Sequence, residues 1–171
     1  TDAVELLRRA IGAGHIEMWY QPQLDARTGA LCGVEALVRW RHPTEGLIPP
    51  AMFLPAARRA GLMMKLTEEI VRQVTADMSR WHQETVQPVP RVAVNVAPPE
   101  LLGTALVPFL VGELREAGLA PSSIVLEVTE DSFVSDPVRA REVLEQLSEL
   151  GIGVSIDDYG TGFSSLAYLR D

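Results

Sequence analysis

Cysteine is almost absent from this chain: Cys32 is the only one in 171 residues. A disulfide framework and a thiolate metal centre are therefore excluded, and the chain suits a reducing compartment. A cytoplasmic location follows as the expectation, with any membrane anchor in segments outside this sequence. Cys32 falls in the strand-like run LCGV and is expected in the core. Basic residues are in deficit, 15 against 23 acidic, for a formal net charge of −8. They are scattered or paired (Arg8-Arg9, Arg39 and Arg41, Arg58-Arg59) and form no basic stripe, which argues against duplex nucleic acid as a partner. An anionic small molecule would need cations to approach. No apolar run of about 18 residues could cross a bilayer. The most apolar stretch, LLGTALVPFLVGEL at 101–114, is interrupted by Gly103 and Pro108 and reads as a buried helix. The amphipathic N-terminus TDAVELLRRAIGAG carries both signs of charge, unlike a signal peptide.

Several signatures of chemistry are also missing. GTGFSSL lacks the Gly-Lys-Ser/Thr of a phosphate-cradling loop, and no Gly-x-Gly-x-x-Gly follows a strand. There is no Gly-x-Ser-x-Gly elbow, and His15, His42 and His82 have no metal-ligand spacing. Serine hydrolases and zincins are disfavoured accordingly.

What is present is an ordinary globular balance, 47% hydrophobic and 22% charged, enough for one domain with a sizeable core. An opening helix near 2–13 precedes IEMWYQPQL (16–24) and LCGVEALVRW (31–40), with DARTGA between them. So short a connection permits only an antiparallel hairpin, because a parallel crossover needs a dozen or more residues. EALVRWRHPTEGLIPP (35–50) reads as the longest loop-like connection. Beyond it, helical stretches at about 50–60 and 65–84 lead to RVAVNVA (91–97), a helix opened by Pro98-Pro99-Glu100, SIVLEVTE (123–130), a helix near 136–150, and IGVSIDD (152–158). Strands alternating with helices predict parallel βαβ units.

The polar residues in these strands need a reason. Strands of a parallel sheet are buried on both faces and should be nearly all apolar. Yet Glu35 lies in VEALV, Asn95 in VAVNVA, Glu127 in VLEV, and Asp157 ends VSID, beside Asp158. Each sits at or near the C-terminal end of its strand, where a strand-helix barrel builds its active site. Converging buried carboxylates repel one another unless cations lie between them, and an all-oxygen set suits Mg²⁺ or Mn²⁺ better than zinc. Taken singly, each has a bland reading. A strand Glu commonly pairs with an Arg or Lys, Asn95 could be a satisfied core amide, and Asp157-Asp158 could cap a helix. Alternation puts Glu35, Leu37 and Arg39 on one face, where Arg39 could clamp phosphate oxygens or simply pair with a carboxylate. Glu130, three residues after Glu127, could brace the DDYGTG loop or be a surface charge. Trp19, Trp40 and Trp81 read as core or interface aromatics.

The ordered motifs YQPQLDARTGALCGVEALVRWRHP, VNVA, LEVTE and DDYGTGFSSLAYLR, spread over 16–170, closely resemble the bacterial EAL-domain phosphodiesterases. The resemblance implies a modified TIM-type (β/α)8 barrel with an antiparallel first strand, of which only about the first five strands are present. The whole of 1–171 would then be a partial EAL domain. It further implies hydrolysis of cyclic di-GMP to linear pGpG with two Mg²⁺ or Mn²⁺ ions. By motif, Glu35, Asn95, Glu127 and Asp157 match ligands of the first ion, Asp158 matches a ligand of the second, and Glu35, Asp157 and Asp158 match the catalytic set. Gln21, Leu37 and Arg39 match substrate-contacting positions, and Glu130 matches the glutamate that orders the loop after the paired aspartates. A homodimer and additional sensor or GGDEF-type domains in the full-length protein belong to the same pattern.

Two departures stand out. Ala57-Arg58-Arg59 replaces a habitual Ala-Glu-Glu, and a Lys, a further ligand Glu and a late Gln, expected on three further strands, do not occur before Asp171. The expectation is a segment of a longer protein, or only the ordered part of one, since five strands of an eight-stranded barrel leave two unpaired edges. A non-catalytic dinucleotide receptor is the alternative from another class. A metal-assisted lyase of the enolase type, with carboxylates on successive strands, would leave Asn95 and the aspartate pair unexplained.

Overall fold

The computed structural model of the protein describes residues 2–85 and 88–157, Asp157 by its backbone alone. Helix α1 (Ala3–Gly12) begins at Asp2, whose carboxylate accepts the Val4 N–H at 3.2 Å. Strands β1 (Ile16–Leu24) and β2 (Leu31–His42) form the expected antiparallel hairpin. Its turn is written locally: Asp25 Oδ1 accepts the N–H groups of Arg27 (2.7 Å) and Thr28 (3.1 Å), and Gly29 supplies the left-handed residue at φ 70°.

The segment 35–50 is not a loop. β2 continues to His42, and β3 (Gly46–Ile48) returns against it, pairing Trp40 with Ile48 and His42 with Gly46. The His42 ring nitrogen Nδ1 accepts the N–H groups of Thr44 and Glu45 inside that turn, so Pro43 and Gly46 punctuate a tight hairpin.

Helices α2 (Pro50–Arg59) and α3 (Met63–Glu84) follow, then β4 (Val92–Asn95), α4 (Pro98–Leu102), α5 (Leu106–Glu116), β5 (Ile124–Thr129), α6 (Asp131–Ser135), α7 (Pro137–Leu150) and β6 (Gly153–Asp157). The stretch 101–114, expected as one helix, is split at Gly103. Arg139 fills the break by donating to the carbonyls of Leu102 (2.9 Å) and Gly103 (3.0 Å), which the end of α4 leaves open. α7 starts at Asp136, whose side chain accepts the Arg139 N–H, with Pro137 in first place, and closes on Gly151 at φ 83°. Among the described residues, no helix is long and apolar enough to cross a membrane.

The strand order is β1-β2-β4-β5-β6, with β3 attached to the C-terminal end of β2. β2, β4, β5 and β6 run parallel, and among the described strands β1 and β3 oppose them. One face of this sheet makes the core. Val34, Ala36, Val38 and Trp40 of β2, Val92 and Val94 of β4, Ile124, Leu126 and Val128 of β5, and Val154 and Ile156 of β6 are all buried against α1–α3, α5 and α7. The other face is less covered among the described residues: β2 from Val34 to Trp40 and β5 alternate between buried and half-buried, while Ala93 of β4 and Ser155 of β6 are buried on this face as well, as a parallel sheet predicts.

Cys32 is exposed, not in the core. β2 pairs with β4 only from Val34 onward, and the β1–β2 register slips between Gln23 and Leu24, so Leu31 and Cys32 stay uncovered among the described residues. Of the tryptophans, Trp40 is buried and Trp81 half-buried, while Trp19 is exposed on the second face. Arg58 is a solvent residue in the last turn of α2, beside the buried Ala57, where a cation suits the helix C-terminus.

Candidate functional site

Strand register decides which side chains share a face. Glu35 lies opposite Ala93, Asn95 opposite Glu127, and Glu127 opposite Ser155, with Asp157 opposite Thr129. Relative to the direct pairing, the polar positions climb two residues from β2 to β4 and two more from β5 to β6. Strands that tilt in a barrel produce this stagger for residues at one height along its axis. Glu35, Asn95 and Glu127 therefore belong to one level of the second face. Asp158 lies outside the described residues, and the side chain of Asp157 is likewise outside them.

The described members contact one another or a common neighbour. Asn95 Nδ2 donates to Glu35 Oε1 at 3.1 Å, across adjacent strands. Gln23 Nε2 donates to Glu127 Oε1 at 3.2 Å, although β1 and β5 are three places apart in the sheet. In a flat sheet those strands would stand about 14 Å apart, three spacings of roughly 4.8 Å. Two side chains meet over that span only if the sheet curls toward this face, which is the curvature of a barrel wall.

Gln21 faces Glu35 in the β1–β2 register and is exposed, and Trp19 faces Leu37. Leu37 and Asn95 border a cavity of about 320 Å³ that continues to Leu54, Met63 and Ile70. Arg39 is half-buried and donates to the carbonyl of Val38 at 2.9 Å. Among the described residues it forms no ion pair, so the carboxylate-partner reading of Arg39 finds no support there. The neighbouring Arg41 instead grips Glu17 through two nitrogens, one at 3.0 Å, and Glu17 also accepts the Trp19 indole N–H at 3.3 Å. Those bonds, Arg41 first, hold the Glu17 carboxyl below its usual range. Glu130 follows β5 directly, at the N-terminus of α6, and borders a separate cavity of about 410 Å³ with Phe133, Leu144 and Ile156.

Among the described residues, no three His, Cys, Asp or Glu side chains gather into a metal-sized cluster. What they contribute is two carboxylates and one amide. Their chemistry fits a hard cation: all offer oxygen, and Asn95, with its Nδ2 turned to Glu35, keeps Oδ1 as an acceptor. Sequence reading missed Gln23. Its signal was available, since Gln23 shares the parity of Gln21 on β1, but the contact with Glu127 depends on sheet curvature.

A curled, mainly parallel α/β sheet with an antiparallel first strand and polar oxygens on its inner face is a partial TIM-type barrel. The family model described as "EAL domain" matches residues 4–171, and the chain belongs to that family. It is 39% identical over 168 residues to the bifunctional diguanylate cyclase/cyclic di-GMP phosphodiesterase MucR of Pseudomonas aeruginosa, covering 96% of this chain and 24% of MucR. It is 42% identical over 166 residues to the cyclic di-GMP phosphodiesterase NbdA of the same organism, covering 97% of this chain and 21% of NbdA. The chain thus spans between a fifth and a quarter of these relatives. Among solved structures, the MucR phosphodiesterase in complex with c-di-GMP superposes with a TM-score of 0.86 at 38% identity, over 98% of this chain and 67% of that one.

Proposed function

We propose that the protein carrying this chain hydrolyses cyclic di-GMP to linear pGpG with two Mg²⁺ or Mn²⁺ ions. The observation that supports this most is the staggered register that brings Glu35, Asn95 and Glu127 to one level of one sheet face. The EAL family match and the names of MucR and NbdA point to the same substrate.

In this reading Glu35, Asn95, Glu127 and Asp157 hold the first ion, and Asp158 contributes to the second. When bound, such a pair of cations activates water and neutralises charge developing on the phosphodiester oxygens. The protein's own part is placement. Asn95 donates to Glu35 and so limits the rotation of both ligands. Arg39 offers a guanidinium for the phosphate, Gln21 offers an amide, and Leu37 supplies an apolar wall against the nucleotide. Glu130 braces the loop that follows Asp158. A homodimer and attached sensor or GGDEF-type domains would supply regulation.

The test is Glu35→Gln in the full-length protein. Wild type should turn over cyclic di-GMP only with Mg²⁺ or Mn²⁺ supplied, and Glu35→Gln should reduce turnover to the background of the metal-free protein. Binding of the dinucleotide with no turnover in either metal would identify a receptor and defeat the enzyme reading.

A further inference from the structure

We propose that Gln23 is a positioning residue for Glu127, holding that carboxylate in the orientation in which it ligates the ion. The inference rests on the metal-ligand reading of Glu127 and concerns a residue that the motif match leaves without a role. The bond itself is unambiguous in direction: a carboxylate only accepts, so the nitrogen of the Gln23 amide must face it at 3.2 Å.

The approach is specific. β1 runs opposite to β2, so Gln23, near the end of β1, is paired with Gly33 close to the start of β2. It reaches Glu127 from the side of the N-terminal strand ends, leaving the C-terminal side free for substrate. The path runs over small residues. Gly33 has no side chain, and a Cβ there would stand 2.9 Å from the Arg91 carbonyl oxygen and 3.5 Å from Gln23 Oε1. On β4 the residue of this face below Asn95 is Ala93, which is buried. A larger side chain at either place would crowd the path along which the Gln23 amide crosses.

A carboxylate on a strand has two free side-chain torsions before its head group, and an ion fixes them at a cost. A donor that already holds one oxygen removes part of that cost. Partners of this kind commonly change metal affinity by about 10- to 100-fold.

The experiment measures Mn²⁺ binding by calorimetry, without nucleotide, on the full-length protein as wild type, Gln23→Met, Glu127→Gln and the double variant. Met keeps the length of Gln and removes the donor. Because Gln23 is exposed, its thermal midpoint should match wild type. Gln23→Met should weaken Mn²⁺ binding about 10- to 100-fold. In the Glu127→Gln background the same substitution should change affinity less than about twofold, because the two groups act as one unit. Turnover by Gln23→Met should recover as Mn²⁺ is raised, with the dinucleotide KM unchanged at saturating metal. Unchanged Mn²⁺ affinity in Gln23→Met overturns the proposal, as does an equal loss in both backgrounds. A wild type that binds no Mn²⁺ sinks the metal reading itself, and the role of Gln23 with it.

Discussion

The two faces of the sheet are built from the same strands and obey different rules. On β5, Ile124, Leu126 and Val128 are at most 1% exposed, while Val125, Glu127 and Thr129 between them are half-buried. One face meets α3, α5 and α7, and its buried positions on β2, β4, β5 and β6 are all apolar. The other carries Glu35, Arg39, Asn95 and Glu127, with Gln21 and Gln23 arriving from the antiparallel β1. Alternation along a strand lets adjacent residues serve separate ends. Stability is concentrated on the first face, and the proposed chemistry on the second.

The sharpest way to break this comparison is to substitute two neighbours in β5. Leu126 is fully buried, and Leu126→Ala removes apolar contacts and leaves a cavity; an unfolding free energy lower by about 2–5 kcal/mol is expected. Glu127→Gln, one residue along, preserves shape and should move stability by less than about 1 kcal/mol, since most changes away from packed features are small. Denaturant unfolding of both variants checks the pair. A Glu127→Gln loss equal to that of Leu126→Ala would mean that the second face also holds the fold together.

That division explains what could be read from sequence. The β1–β2 hairpin was legible because a short connection leaves one geometry, and the parallel order because strands and helices alternate. The shared face of Glu35, Leu37 and Arg39 followed from parity alone. What escaped depends on tertiary curvature or on pairing length. Gln23 meets Glu127 only because the sheet curls. Cys32 is exposed because β4 pairs with β2 too late to cover it. Pro43 and Gly46 suggest a loop after Trp40, yet the same residues punctuate the turn into a three-residue return strand. Asp157 and Asp158, the pair the motifs mark most clearly, take their roles from the family resemblance, the Asp157 side chain and all of Asp158 lying outside the described residues.

A medium effect is expected where a polar group enters the covered face. Tyr20 lies between β1 and α3, edge-on to Trp81 at 4.8 Å, and donates its hydroxyl to Asp77 Oδ2 at 2.5 Å. Tyr20→Phe loses a hydrogen bond to a charged acceptor, a class worth about 1.5–3 kcal/mol; the low end is expected because Arg80 still pairs with Asp77 at 3.2 Å. The bond also has a pH signature. Burial first, and the Asp77 carboxylate second, raise the Tyr20 pKa far above its ordinary value. A raised folded-state value stabilises fully below the unfolded tyrosine pKa of about 10, and the advantage is lost as pH rises beyond it. Wild type should therefore lose stability between pH 9 and 11 more steeply than Tyr20→Phe, in urea titrations at a series of pH values. Parallel slopes would show that the hydroxyl is not the titrating group.

The smallest effect belongs to the most conspicuous ion pair. Arg41 and Glu17 are joined by two bonds on the second face, but the Arg41 side chain is 58% exposed and that of Glu17 30%. Water and salt screen such a pair, and holding two long side chains in one geometry costs entropy, so exposed pairs contribute little. Glu17→Gln should move the thermal midpoint less than Tyr20→Phe or Leu126→Ala. Its sign with pH is opposite to that of Tyr20. Arg41 lowers the Glu17 pKa, so the contribution is present above the ordinary glutamate pKa of about 4.3 and fades as pH falls through the lowered folded value. It should also shrink in 1 M salt, where screening acts within about 3 Å. A midpoint difference between wild type and Glu17→Gln that survives both acid and salt would place packing, not charge, at that corner, and the second face would then share in stability after all.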